Sequence, residues 1–332
     1  PALERAGPAR WCFPFVKPAR VKNMQARPRT VTLRAAAVLA LALFLAAVAP
    51  SNAQTAASGE KIIVSGASGQ LGELVVKELL ARGVPAQNLI LVSRTPEKLA
   101  EYAKLGAVTR FGDFEKPESL PAAYAGGTRM LLISISGGLG SRAQLHKNAI
   151  DAAIAAGVRH IAYTSFVALS RGDASGIGKD HHETEEILRN SGVAWTMLRN
   201  SIYSEVTIPQ AAKFVADGRA VVPADEAKVG YVTRGDCAAA AAAVLATPGH
   251  ENRIYDITGP ELIGVREIAE AASAVTGKKI DVTTAAPGAS PPQRFGPSLS
   301  VTSNHVEQLT GRPATSLRAL YEANKSALLG ST

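Results

Sequence analysis

The chain has 332 residues, room for one large domain or two small ones. Its net charge of +8 is unevenly placed: residues 1–53 hold eight of the 36 basic residues and one of the 28 acidic ones, so the remainder carries only +1. A near-neutral remainder has no electrostatic footprint for nucleic acid, and two cysteines, Cys12 and Cys237, exclude a disulfide framework.

In chain order, the first feature is an unbroken apolar run over 35–49, preceded by Arg27, Arg29 and Arg34 and followed by Pro50 and Ser51-Asn52-Ala53. A basic stretch, an apolar run of 15 residues and small residues before Gln54 read as a secretory signal cleaved at that point. At about 1.5 Å per residue the run falls short of a bilayer core of roughly 30 Å, so no stable membrane span is expected. Met24 stands just ahead of the basic stretch, and translation is expected to start there, with residues 1–23 upstream of the true start. Residues 54–60 read as a linker.

From residue 61 short apolar runs alternate with helical periodicity. Strands are expected at 61–65, 89–93, 107–111, 129–135, 158–164 and 193–198, and helices at 70–82, 96–104, 117–124, 142–156, 179–191 and 204–217. Continuous apolar strands separated by helices argue for a parallel sheet covered on both faces. After about 200 the rhythm changes. A helix over 234–247 contains the uninterrupted run Ala238 to Ala243, followed by strand 253–257, helix 265–276 and strand 279–284. A Pro/Gly/Ser-rich loop over 285–300 precedes helices near 302–310 and 315–328.

The chemistry concentrates at Lys61-Ile-Ile-Val-Ser65-Gly66-Ala67-Ser68-Gly69-Gln70-Leu71-Gly72. A strand runs into glycines spaced G-x-x-G-x-x-G, and a helix begins at once. Such a turn lets the backbone approach a diphosphate while the helix N-terminus offers free N–H groups and the positive end of its dipole. The fold expected is an α/β doubly wound parallel-sheet Rossmann fold, with residues 61–200 as the nucleotide-binding domain and 201–332 as a small C-terminal α/β substrate lobe completing it. Arg94 ends the second strand, where an acid would take the ribose 2′-OH of NAD; an arginine suits a 2′-phosphate instead, so NADP, with NADPH preferred over NADH, is the expected cofactor, and Lys98 stands ready to help. Asp113 is open between accepting from the adenine amino group and capping the helix over 117–124. Ser134 and Ser136 leave room at the end of the fourth strand for the diphosphate and ribose. No metal site is expected.

The ordered strings Gly66-Ala-Ser-Gly-Gln-Leu-Gly, Ser93-Arg94-Thr-Pro-Glu-Lys, Leu131-Leu-Ile-Ser134, Ala162-Tyr-Thr-Ser165, His181-His-Glu-Thr-Glu185 and Leu198-Arg-Asn-Ser-Ile-Tyr203-Ser-Glu205 carry a resemblance. Together with Thr233-Arg-Gly-Asp236, Tyr255-Asp-Ile-Thr-Gly and Leu309-Thr-Gly-Arg-Pro, they resemble the NmrA-like atypical short-chain dehydrogenases, most nearly the NAD(P)H:quinone oxidoreductase type 2 group, over about residues 61–320. The Tyr-x-x-x-Lys pair usual in dehydrogenases is missing after the fifth strand; Tyr321-Glu-Ala-Asn-Lys325 matches it only by chance, in the last helix. The resemblance places His181 at the catalytic lysine position, where a histidine would hydrogen-bond the ribose and donate a proton near neutral pH. His182 is expected to be bland. Tyr163, Ser165, Phe166, Asn200 and Tyr203 are the candidates for the nicotinamide and substrate rim, with Tyr163 beside His181 as catalytic, Ser165 on the cofactor, and Phe166, Asn200 and Tyr203 on the substrate. Tyr163 and Phe166 are open to a core role.

Hydride transfer to a quinone leaves a phenolate, a weak base, so no strong acid is essential and positioning carries the reaction. The expectation is an NADPH-dependent oxidoreductase with a quinone or similar small molecule as acceptor, in a chain open to homodimer formation. The alternative is a non-catalytic redox sensor of the NmrA type; a sugar-nucleotide epimerase is disfavoured by the missing Tyr–Lys pair. Two departures from the related reductases concern substrate choice: Val206 replaces an expected Asn, and only the loop 285–300 stands where they carry pocket-closing helices. The leader points to a periplasmic or secreted protein; the cytoplasm is the alternative because nicotinamide cofactors are supplied there.

Overall fold

The computed structural model describes residues 59–135, 142–286 and 295–330, all within the unit Asn52–Thr332. The leader, most of the linker and the stretch 287–294 of the Pro-rich loop lie outside the described residues.

The elements, in order, are β1 (Ile62–Ser65), α1 (Gln70–Ala81), β2 (Leu89–Ser93), α2 (Ala100–Lys104), β3 (Val108–Phe111), α3 (Leu120–Tyr124), β4 (Arg129–Leu132), α4 (Arg142–Ala155), β5 (His160–Phe166), α5 (Ile177–Arg189), β6 (Ala194–Asn200), α6 (Ile208–Asp217), β7 (Arg219–Val222), α7 (Arg234–Ala246), β8 (Arg253–Ile257), α8 (Val265–Thr276), β9 (Asp281–Thr284), α9 (His305–Thr310), α10 (Leu317–Ala323) and α11 (Lys325–Leu328). Seven strands form one parallel sheet in the order β3-β2-β1-β4-β5-β6-β8. This is the doubly wound Rossmann arrangement, whose strand order reverses between β1 and β4 and opens a crevice at their carboxyl ends. β1 and β2 are buried at every position, because helices cover both faces and no alternation is needed.

One face packs under α1, α7 and α9, and the other under α3, α4 and α5. All six alanines from Ala238 to Ala243 are buried, so the low-complexity run is a smooth surface that lets α7 lie close against α1 and the sheet. Two of the strings in the sequence meet at the start of α7. The buried Asp236 carboxylate accepts from Arg312 Nη1 at 2.6 Å and from the Thr315 backbone N–H at 2.8 Å, while Thr233 caps the helix through the Asp236 N–H.

Helices α6, α8, α10 and α11 gather around a third core with a two-stranded parallel sheet, β7 and β9, in register Arg219↔Asp281 to Val222↔Thr284. β7 has no counterpart among the expected strands: it is four residues long and follows directly on Gly218, whose φ of +65° ends α6. Other boundaries shift for local reasons. The helix expected over 96–104 opens with a 3₁₀ turn at Pro96–Leu99, and that over 315–328 breaks at Asn324. The strand expected to 135 leaves the sheet after Leu132. Among the described residues no helix is long and apolar enough to cross a membrane.

Candidate cofactor and active site

The glycine turn joins β1 to α1, and its three glycines do three different things. Gly66 sits at φ +95°, a region that a side chain rarely enters, and its N–H and that of Ala67 donate to the Val92 carbonyl at 2.9 and 3.0 Å. A Cβ on Gly72 would stand 2.8 Å from the Ala67 Cα and nearer still to the Gly66 carbonyl, so this glycine lets α1 close onto the turn. Gly69 is different: a Cβ there meets only the Gly66 carbonyl, at an ordinary 3.4 Å. The protein itself does not require a glycine at 69. Among the described residues no side chain caps the first turn of α1, whose leading N–H groups are therefore available to an anion.

The turn forms part of the wall of a cleft of about 880 Å³ at the carboxyl end of the sheet. Gly66, Ser68, Gly69, Gln70, Leu71 and Gly72 line it; Ala67 is buried and directed inward. At one end stand Arg94, Thr95 and Lys98. Arg94 and Lys98 are exposed, and neither side chain makes a hydrogen bond or ion pair with a described residue; the Lys98 backbone N–H donates to the Thr95 carbonyl at 3.1 Å. Ser68, Ser93 and Thr95 form a hydroxyl cluster, with Ser68 and Ser93 Oγ atoms 2.5 Å apart. Asp113 also lines the cleft. Its carboxylate accepts from the Glu115 N–H at 3.2 Å, a local turn, and does not cap the following helix.

The other end is walled by Ile133, Ser134 and Ile135, with Tyr203 and Arg234 also on the cleft wall. Ser136 lies outside the described residues. Beside Ile135 is a buried polar cluster. Tyr163 Oη and His181 Nδ1 are 2.8 Å apart, and Arg142 Nη2 approaches His181 Nε2 at 3.4 Å. Since the guanidinium only donates, Nε2 accepts and Nδ1 carries the proton toward Tyr163. Burial, with the Arg142 charge, holds the His181 pKa down at about 3, and burial raises the Tyr163 hydroxyl well above its ordinary value. The expected proton donation by His181 near neutral pH is therefore not available in this arrangement: the imidazole is neutral because its charged form is desolvated beside a cation. His182 is exposed.

The remaining candidates divide. The Ser165 hydroxyl donates to buried Glu185 at 2.6 Å, inside a network with Arg199 and Arg189, and is not among the described residues lining the cleft. Burial pushes the Glu185 carboxyl up, but hydrogen bonds from Arg199 and Ser165 outweigh it and leave it below the usual range. Phe166 packs its ring 5.8 Å from His181. Asn200 is buried and does not line the cleft, and its Oδ1 has no hydrogen-bond partner among the described residues. Tyr203 carries the Arg234 guanidinium over its ring at 4.6 Å.

Sequence reasoning did not reach four contributors: His146, Arg142, Phe114 and Arg234. Arg234 and Phe114 line the cleft, and His146 and Arg142 contact the Tyr163–His181 pair. A histidine on the otherwise apolar stripe Ala143, Ala149, Ile150 and Ala153 of α4 was a readable signal. The other three depend on long-range packing.

Fold and cleft define a dinucleotide-binding protein of the Rossmann class, with the crevice at the strand-order reversal and Arg94 and Lys98 on its wall. The sequence profile of a family described as NAD(P)H-binding matches residues 66–248, and the chain belongs to this NmrA-like NAD(P)H-binding family. It is 38% identical over 221 residues to Quinone oxidoreductase 2 of Escherichia coli (strain K12), covering 66% of this chain and 76% of that one. It is 30% identical over 219 residues to the NAD(P)H azoreductase of Xenophilus azovorans, covering 66% and 75%. Among solved structures, the triphenylmethane reductase of Citrobacter sp. complexed with NADP(H) superposes with a TM-score of 0.70 at 32% identity, over 80% of this chain and 99% of that chain.

Proposed function

We propose that the chain is an NADPH-dependent oxidoreductase that reduces a quinone or a similar small acceptor. The observation that carries this reading is a cofactor cleft whose proposed ribose end presents Arg94 and Lys98, two cations with no side-chain partner among the described residues, and whose other end abuts a neutral, buried Tyr163–His181 pair. Gly66 to Gly72 would hold the diphosphate, Arg94 and Lys98 the 2′-phosphate, and Asp113 the adenine edge. Bound there, NADPH supplies the hydride.

The chain's own contribution is positioning. Ser134, Ile135 and Tyr203 wall the cleft, and Phe166 and Asn200, which do not line it, complete the proposed acceptor rim. Tyr163 and His181 hold each other in place and do not release a proton near neutral pH, which suits an acceptor whose reduced form is a weak base. The relatives' names point the same way: a quinone, an azo compound and a triphenylmethane are conjugated acceptors of an electron pair.

The same protonation state favours one other reading, a cofactor-binding redox sensor without turnover. NADPH oxidation by the full chain with a small quinone separates the two: turnover supports the reductase, and tight NADPH binding without turnover across quinones and carbonyls supports the sensor. The reading includes export through the leader, a substrate lobe over 201–332 and a homodimer. An N-terminus other than Gln54 on the exported chain, or a monomer in sedimentation, removes those parts and leaves the chemistry standing.

A further inference from the structure

We propose that His146 is a positioning residue for the cofactor: its imidazole clamps the cleft wall at Ile135 and couples that wall to the Tyr163–His181 pair. This wall begins where β4 ends. After Leu132 the chain leaves the sheet, and three successive amides are each held by a different element. Ile133 N–H donates to the Ser65 carbonyl at 3.3 Å, Ser134 N–H to Thr164 Oγ1 at 2.8 Å, and Ile135 N–H to His146 Nε2 at 3.2 Å. All three residues line the cleft. Two of the three clamps are side chains: Thr164 reaches out from β5 in the sheet, and His146 from α4 outside it.

Since Nε2 accepts, Nδ1 carries the proton and donates to Thr184 Oγ1 at 2.9 Å, and Thr184 in turn donates to the Asp180 carbonyl at 2.8 Å. The Tyr163 hydroxyl lies 3.5 Å from Nδ1, and the two rings pack with centroids 5.4 Å apart. On its other side the imidazole meets Phe114, a second cleft-wall residue, edge to face at 6.3 Å. One fully buried ring therefore touches two parts of the cofactor wall and the pair beside it. An apolar side chain would fill this place on the α4 stripe without the cost of burying a polar ring; what it would not do is accept the Ile135 N–H.

The inference rests on reading the cleft as the cofactor site, and the experiment separates the two. In the full chain, His146→Phe removes the acceptor, His146→Gln offers Oε1 near the Nε2 position, and His146→Asn reaches only toward Thr184. NADPH titration is expected to weaken roughly tenfold for His146→Phe and His146→Asn, the effect of one lost buried hydrogen bond, and to return to within about threefold of wild type for His146→Gln. Amide exchange at Ile135 in the free chain is expected to follow the same order, with protection kept only in wild type and His146→Gln. Equal NADPH affinity in all three variants, rescue by Asn but not Gln, or affinity that tracks the melting temperature and not Ile135 protection overturns the clamp. Should the variants not fold, the imidazole ¹⁵N spectrum of the wild type decides: a proton on Nδ1 supports the clamp and a proton on Nε2 overturns it. If NADPH shifts none of the Gly66, Gly69 and Gly72 amides of the wild type, the cleft reading fails instead.

Discussion

Arg94 directly follows β2 with an exposed guanidinium that no described residue pairs, at the position where the adenosine ribose of a Rossmann cofactor lies. A charge-assisted contact to a phosphate contributes on the order of 1.5–3 kcal/mol, so Arg94→Ala is expected to weaken NADPH about 10- to 100-fold in a fluorescence titration and to leave NADH nearly unchanged. An unaltered NADPH/NADH ratio removes the phosphate role. That Arg94 stands on the cleft was legible, because its place depends on one local distance, from the glycine turn to the next strand end. His146 was legible only as a polar residue on an apolar helix stripe and Arg234 not at all, because each acquires its role from packing: Ile135 and Thr184 for one, Tyr203 and the cleft for the other. His181 was located by its string, yet its protonation state comes from burial and from Arg142, 39 residues away, which no spacing rule reports.

The strand–turn–helix unit makes the sharpest prediction at the level of elements, because two glycines that look alike in sequence differ in their surroundings. Gly72→Ala forces a Cβ against the backbone of Gly66 and Ala67, a clash with nowhere to relax, and is expected to cost about 1–3 kcal/mol or more in urea denaturation. Gly69→Ala meets nothing closer than 3.4 Å, so the chain is expected to keep its stability and lose NADPH affinity. Loss of stability in Gly69→Ala, or unchanged binding, contradicts the assignment of that glycine to the ligand. The order of strands and helices through β6 followed from apolar periodicity, since each element buries a face of its own. β7 escaped because a four-residue strand in a two-stranded sheet is defined by its partner β9, about 60 residues later, and not by its own pattern. The last part of the expected fourth strand became a cleft wall held by side chains, which periodicity alone does not distinguish from a strand.

On the scale of the whole molecule, three buried histidines tie stability to pH. Burial, aided by nearby cations, lowers the pKa of His146 and His181 to about 3 and of His160 to about 4, against 6.5 for an ordinary histidine. The unfolded chain therefore binds protons at these sites below about pH 6.5 that the folded chain refuses, and stability is lost as pH falls. Their contribution is fully present above pH 6.5 and declines from there toward pH 4. Between pH 6 and 4.5 unfolding is expected to take up close to one proton per histidine, a slope of roughly 1.4 kcal/mol per pH unit for each. Urea melts at pH 7 and pH 5 measure it; equal stability at the two values contradicts the buried neutral state of these rings. His181→Asn should flatten the slope by about one proton if it folds.

The same neutral cluster links stability to chemistry, because a site that excludes the imidazolium has no strong acid to offer and leaves positioning as its means of catalysis. The most direct measurement is steady-state oxidation of NADPH by the full chain in the presence of a small quinone, followed through the absorbance of the reduced nicotinamide. The account predicts turnover with NADPH, a large loss of efficiency with NADH, and restoration toward parity in Arg94→Ala. Tight NADPH binding with no turnover on any quinone would contradict it.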